Sequence, residues 1–203
     1  MAPRAWPNAV KVGVLALQGA SGLHAEAVSA LGATAVEVRD PSHLAGVEAL
    51  ILPGGESTTL SRLLVTSGLF GALAERLDAG MPAFGTCAGM ILLAASVLDG
   101  RPDQRSFAAV DVDVRRNAFG SQVESFETTL PVAGLPGGDF PATFIRAPVV
   151  ERVGEGVEVL ATVPGRDGRP RPVLCRQGPV LVAAFHPELS GDLRLHQKFL
   201  ASV

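Results

Sequence analysis

From Val10 to Leu17 the chain is an almost unbroken apolar run, the pattern of a strand buried on both faces. A helical segment from about Leu23 to Leu31 follows. Gly32 stands where a helix ends in a left-handed residue, and Ala33 to Val38 then reads as a second strand. Ala49 to Leu52 is a short strand stopped by Pro53-Gly54-Gly55, after which Glu56, Ser57 and Thr58 open a helix running to about Val65. Ala83 to Gly85 is another short apolar stretch; it meets Thr86-Cys87-Ala88-Gly89 and a helical segment from Met90 to Ala95. The rhythm of strand, tight turn and helix predicts a parallel sheet.

Past about residue 105 the pattern changes. Alternating or apolar stretches at Ala109 to Val114, Val123 to Thr128, Thr143 to Ile145, Val157 to Val163, Pro172 to Cys175 and Val180 to Phe185 read as strands with few helices between them. An amphipathic helix from Asp192 to Leu200 closes the chain. With no internal repeat and no linker-like shift in composition, residues 1–203 are expected to form one α/β domain. The expectation is a three-layer sandwich with a mostly parallel central sheet, to which the later antiparallel strands add an extension or a side sheet. Chemistry in such a sheet belongs at the carboxyl ends of the strands.

Composition narrows the partners. The chain is 47% hydrophobic and 18% charged, a globular balance, and its net charge of −3 comes with basic residues that are scattered and nearly all Arg. No clustered positive face for nucleic acid is expected. Met1 to Pro7 lacks the apolar core of an export signal and no apolar run approaches a membrane span, so no membrane partner and a cytoplasmic location are expected. Two cysteines, Cys87 and Cys175, are too few for a disulfide framework and read as reduced thiols.

Three segments carry chemistry. Gly85-Thr86-Cys87-Ala88-Gly89 has the spacing of a nucleophile elbow, the sharp strand-to-helix turn that lifts a side chain above a sheet, with cysteine in the place usually held by serine. A helix N-terminus there favours a thiolate, and the free N–H of Ala88 can face a developing oxyanion. A small buried hydrophobe is the other reading of such a cysteine. Phe185-His186-Pro187-Glu188 ends an apolar strand. A residue before proline is extended, and residues i and i+2 of extended chain point the same way, so His186 and Glu188 are expected to project together as a base and its orienting carboxylate. A capped turn is the alternative. In Pro53-Gly54-Gly55-Glu56-Ser57-Thr58-Thr59 the glycines allow a peptide N–H to approach a ligand closely. The Walker pattern is absent and Glu56 would repel a phosphate, so an oxyanion donor suits this loop better than a nucleotide site.

These elements, in this order, resemble a class I glutamine amidotransferase, and more closely the family of glutaminase subunits of pyridoxal 5′-phosphate synthase. Further residues carrying the resemblance are Leu15 to Ala20, Arg116-Asn117-Ala118-Phe119-Gly120, Gln122, Ser125 to Glu127, Phe144-Ile145-Arg146-Ala147-Pro148, and Phe185 to Ser190 with His196-Gln197. It spans about residues 10 to 200. It implies a flavodoxin-like three-layer fold and hydrolysis of L-glutamine through a glutamyl thioester, with Cys87 as nucleophile, His186 as proton carrier and Glu188 as its orienting group. Gly55 and Ala88 would supply the oxyanion N–H groups. Gly55, Glu56, Ser57, Arg116, Ile145 and Arg146 would hold the substrate, although the sequence does not say which arginine takes its α-carboxylate. Ala118 and Ser121 depart from the family's Ser and Arg, and Gly22 stands where a charged residue is common.

The resemblance further implies a partner, a barrel-shaped pyridoxal 5′-phosphate synthase subunit that accepts the ammonia; the Gly-Gly pair of the Pro53-Gly54-Gly55 loop, whose peptide can rest flipped until docking sets it, predicts weak activity without that partner. No cofactor is expected. His24, His43 and His196 lack ligand spacing and no metal is assigned; Cys175 reads as core. Two other functions stay open on the residues alone. One is a different cysteine-nucleophile α/β hydrolase or stress protein, against which Glu188 speaks. The other is a noncatalytic regulatory subunit, against which the intact Cys87, His186 and Glu188 speak.

Overall fold

A computed structural model describes residues 10–116, 125–165 and 167–203. The segment Asn117 to Gly120, Ser121, Gln122 and the start of the expected Val123 to Thr128 strand lie outside the described residues, as do Met1 to Pro7. The first half follows the predicted rhythm: β1 (Lys11–Leu15), α1 (Ser21–Ala30), β2 (Thr34–Val38), β3 (Ala49–Leu52), α2 (Ser57–Thr66), α3 (Leu69–Asp78), β4 (Ala83–Thr86) and α4 (Ala88–Leu93). The strand-rich second half holds β5 (Ala94–Val97), β6 (Val110–Arg115), β7 (Ser125–Leu130), β8 (Phe140–Ile145), β9 (Val149–Val153), β10 (Glu158–Pro164), β11 (Pro170–Gln177) and β12 (Val180–Ala183) before α5 (Arg194–Leu200).

The central sheet has seven strands in the order β10-β11-β12-β4-β3-β1-β2. Its β2, β1, β3, β4 and β12 are parallel, while β11, antiparallel to both β12 and β10, extends the β12 edge with β10 outermost. Two smaller sheets stand beside it, β5-β6-β9 and the ribbon β7-β8. The later strands therefore do both things the sequence allowed, extending the sheet and forming side sheets. Consecutive buried positions in β3, β4 and β12 show why those segments read as continuous apolar runs: both faces of the sheet are covered.

The two covering layers are visible from β4. Phe84 turns one way, its ring 6.5 Å from His24 of α1 and 5.7 Å from both His196 and Phe199 of α5. Gly85 turns the other way, and a side chain there would strike the backbone of Gly89 at 2.6 Å. Neighbouring residues of a strand face opposite sides, so α1 and α5 cover one face at β4 and α4 covers the other. Local signals set the ends of α1: Gly32, at φ 83°, follows its last turn, and the bonds from Gly32 N to Ser29 O (3.0 Å) and Ala33 N to Val28 O (3.2 Å) complete a Schellman cap.

One expectation needs correction, and two elements were not anticipated. The helix opened by Cys87 ends at Leu93, and Ala94 and Ala95 belong to β5, whose pairing with β6 overrides alanine's preference for helix. Leu69–Asp78 is a helix, announced by buried Leu69, Leu73 and Leu77 at helical spacing. Val149–Val153 is a strand paired with β6.

Candidate active site

The carboxyl ends of β3, β4 and β12 lie side by side, and each delivers one of the three segments singled out above. At the end of β4, Cys87 has φ 49° and ψ −105°, one of three non-glycine residues with positive φ among those described. Strain of this kind marks a nucleophile elbow, and it persists because the surroundings hold it: Cys87 N donates to Ala183 O of β12 at 2.8 Å, and Ile91 N donates to Cys87 O at 3.3 Å. Only small residues fit around it. A side chain at Gly89 would come 1.9 Å from the carbonyl oxygen of Leu52. The Ala88 N–H opens the first turn of α4, where the helix supplies no acceptor.

At the end of β12, His186 and Glu188 meet as expected, with Nδ1 and Oε1 2.7 Å apart, but the reason differs. His186 has φ −106° and ψ 85°, whereas Pro187–Leu189 is a single 3-10 turn closed by bonds from Leu189 N to His186 O and Ser190 N to Pro187 O, both 3.3 Å. The turn, not an extended pleat, curls the carboxylate back under the imidazole. Burial works against protonating His186, but its contacts with Cys87 and Glu188 and their charges outweigh burial and hold its pKa up, at about 10. Glu188 is likewise pushed up by burial, yet the hydrogen bond from His186 brings its pKa below the usual carboxylate value.

The Gly-Gly loop at the end of β3 closes over this pair. A side chain on Gly54 would lie 2.4 Å from His186 Cε1 and 3.4 Å from Cys87 Cβ. Glu56 caps α2, its Oε2 accepting from Thr59 N at 2.9 Å, and Gln18 from the end of β1 receives the Glu56 N–H at 3.3 Å. Together these segments border a cavity of about 60 Å³ lined by Gly55, Glu56, Ser57, Cys87, Ile91, Arg116, Ile145 and Arg146. All six residues expected to hold substrate therefore face one space with the cysteine.

Arg116 is not a solvated strand-end charge. Its Nη1 donates to Thr58 Oγ1 at 2.6 Å and to Gln104 Oε1 at 3.3 Å, and its backbone N–H is held by Asp99 at 2.8 Å. Arg146, by contrast, is exposed and has φ 45°. The carbonyl oxygen of Ile145, at the end of β8, lies 3.9 Å from Cys87 Sγ. Cys175 is fully buried in β11, and burial pushes its thiol up to about 12, the behaviour of a core residue.

Sequence reasoning missed the layer behind His186 and Glu188. His24 Nε2 is 3.3 Å from Glu188 Oε2 and 3.3 Å from Thr86 Oγ1, while His24 Nδ1 and His196 Nε2 form a 2.9 Å hydrogen bond. Both histidines are buried. Burial is the largest influence on each and lowers both to about 4, so they are neutral near pH 7. Their signal in the sequence was position rather than ligand spacing: each sits on the apolar face of a terminal helix, beside Ala27 and Val28 or Leu195 and Phe199. Among the described residues no group of three or more His, Cys, Asp or Glu could hold a metal ion, and no helix is long and apolar enough to cross a membrane.

A doubly covered, mostly parallel sheet with an elbow cysteine on one strand and a His-x-Glu turn on the next has the architecture of a class I glutamine amidotransferase, and comparison with known proteins agrees. The family model described as the SNO glutamine amidotransferase family matches residues 14–203, and the chain belongs to that family. It is 56% identical over 198 residues to a protein of Nocardia farcinica named pyridoxal 5′-phosphate synthase subunit PdxT, covering 98% of this chain and 88% of that one. A relative of the same name from Salinispora arenicola is 56% identical over 188 residues, covering 93% and 94%. A solved structure described as a glutamine amidotransferase superposes with a TM-score of 0.86 at 51% identity, covering 94% of this chain and 97% of that one. A putative GMP synthase subunit from Thermoplasma acidophilum shares the fold at a TM-score of 0.66 and 17% identity, covering 96% and 94%.

Proposed function

We propose that the chain hydrolyses L-glutamine to L-glutamate and ammonia on the Cys87-His186-Glu188 triad, and that a barrel-shaped synthase subunit takes up the ammonia to make pyridoxal 5′-phosphate. One observation carries the reading: Cys87, in contact with the hydrogen-bonded His186–Glu188 pair from the neighbouring strand, opens on a small cavity that also presents Glu56 and Arg116. A free amino acid brings an ammonium and a carboxylate, and this cavity offers both signs of charge, Glu56 opposite Arg116 and Arg146.

The Cys87 sulfur attacks the side-chain amide carbon, and the carbonyl electrons move onto oxygen, where the N–H groups of Gly55 and Ala88 receive them. Collapse of this intermediate breaks the C–N bond as the His186 imidazolium gives its proton to the departing nitrogen, leaving ammonia and a glutamyl thioester. His186, now neutral, takes a proton from water as that water attacks the thioester, and returns it to sulfur as glutamate leaves. Glu188 keeps the imidazole turned and stabilises its cationic form throughout. Glu56 pairs with the substrate ammonium and Arg116 with its carboxylate, with Ser57, Ile145 and Arg146 completing the wall. Relatives at 56% identity carry the name of a pyridoxal 5′-phosphate synthase subunit, which supports the assignment of the ammonia acceptor.

The test is glutamate release from glutamine by the purified chain, alone and with the matching synthase subunit, with Cys87→Ala as control. Release that rises on mixing and disappears in the variant is the expected result. No release under either condition, together with a Cys87 that a glutamine-like alkylator does not modify, would favour a regulatory subunit.

A further inference from the structure

Glu188 divides its environment between two histidines. Oε1 is taken by His186, but Oε2 is buried without a hydrogen bond among the described residues and faces His24 Nε2 at 3.3 Å. An orphaned carboxylate oxygen is costly, and a carboxylate accepts but never donates. A bare Nε2 would set its lone pair against that charge, so the single proton of neutral His24 belongs on Nε2. Nδ1 must then accept, and its 2.9 Å partner, His196 Nε2, must be the donor. This leaves His196 Nδ1 as a bare acceptor, and that atom is indeed buried without a partner. The opposite arrangement would strand a buried N–H there, the rarer and costlier defect. Thr86 Oγ1, also 3.3 Å from His24 Nε2, shares the same proton through its lone pairs.

The packing fits this order. The 3-10 turn that carries Glu188 rests on α1, and His24 on α1 is itself braced by His196 and Phe84. Without that backing, the bond to His186 alone would fix the turn of the carboxylate.

We propose that His24 is a positioning residue for the triad: with its proton fixed on Nε2 by the hydrogen bond from His196, it presents an N–H to the second oxygen of Glu188 and so holds the oxygen that orients His186. This rests on the glutaminase reading for its substrate, and on geometry alone for the arrangement. The group counters the carboxylate charge most when His186 has given its proton to the leaving nitrogen and no longer does so itself.

Two variants separate positioning from packing. His24→Leu fills the space without a donor, and His24→Gln keeps an N–H near the place of Nε2. For the full chain assayed with its synthase subunit, kcat for glutamine falls about tenfold or more in His24→Leu, as for leaving a buried charged oxygen with no donor facing it. KM stays within about twofold because no substrate contact is lost, and His24→Gln recovers most of the loss. Should His24→Leu fail to fold, His24→Met, unbranched and adaptable, takes its place. Unchanged kcat in the donor-free variant overturns the proposal, and so does an equal loss in the Leu and Gln variants. Alkylation of Cys87 by iodoacetamide reads the same arrangement without glutamine. If the wild-type chain releases no glutamate, the glutaminase reading falls, while slower alkylation in His24→Leu restored in His24→Gln still upholds the positioning role and equal rates overturn it.

Discussion

Gly54 and His186 stand so close that a methyl group on the glycine would lie 2.4 Å from the imidazole Cε1. The loop after β3 and the turn after β12 are therefore fitted to one another, and the ring is held between the Gly54 backbone and the Glu188 carboxylate.

Gly54→Ala tests that fit. The added carbon meets a ring that Glu188 anchors, so the imidazole must shift, and displacements of about 1 Å at a reacting group cost on the order of a hundredfold in rate. Glutamine turnover is expected to fall by about that factor while overpacking costs about 1–3 kcal/mol of stability. Turnover within about threefold of wild type would show that the ring is not confined by the loop.

Gly89→Ala tests the elbow. The obstacle there is backbone, Leu52 O at 1.9 Å, and neither partner is a side chain that can swing away. Chemical denaturation is expected to show a loss of about 3 kcal/mol or more, at the upper end of overpacking. A loss under about 1 kcal/mol would mean that α4 can move off β3 freely.

Arg116→Ala tests the substrate clamp. Because Thr58 and Gln104 already hold the guanidinium in place, little ordering is left to occur on binding, and its removal should act on the ground state and the transition state alike. We expect KM for glutamine to rise about ten- to a hundredfold, the worth of a charge-assisted hydrogen bond, with kcat nearly unchanged. If KM stays put and Arg146→Ala raises it instead, the carboxylate binds at the other arginine.

The buried histidines predict a stability profile with a maximum near pH 6.5. His24 and His196 titrate at about 4 in the folded chain and near 6.5 when unfolded, so below 6.5 the unfolded chain binds more protons. Stability then falls on acidification, by about 1.4 kcal/mol per pH unit for each proton taken up. His186 acts oppositely: folded, it keeps its proton to about 10, so the stability it contributes is complete below about 6.5 and is lost as pH rises toward 10. Urea unfolding measured from pH 4 to 10 checks both limbs. A flat acid limb would mean that the two histidines are charged in the folded protein.

The sequence by itself determined the parallel strands of the fold and the three segments that come together at the candidate site. Continuous apolar runs such as Ala49 to Leu52 read as strands covered on both faces, and local chemistry marks the ends of elements: Gly32 for a left-handed helix cap, Gly85 and Gly89 for an elbow. Such signals survive in one dimension because each depends on a few neighbouring residues. The fate of Ala94 and Ala95 did not, since pairing with β6 is a contact between distant residues that outweighs local preference. Only the tertiary structure decided how His186 reaches Glu188, that Arg116 is fastened to Thr58 and Gln104, and that His24 and His196, 172 residues apart, meet behind the triad. A buried histidine looks the same in sequence whether it fills space or serves a carboxylate. What distinguishes the two is the direction of one N–H, and that is set by packing α1 and α5 on the same face of β4.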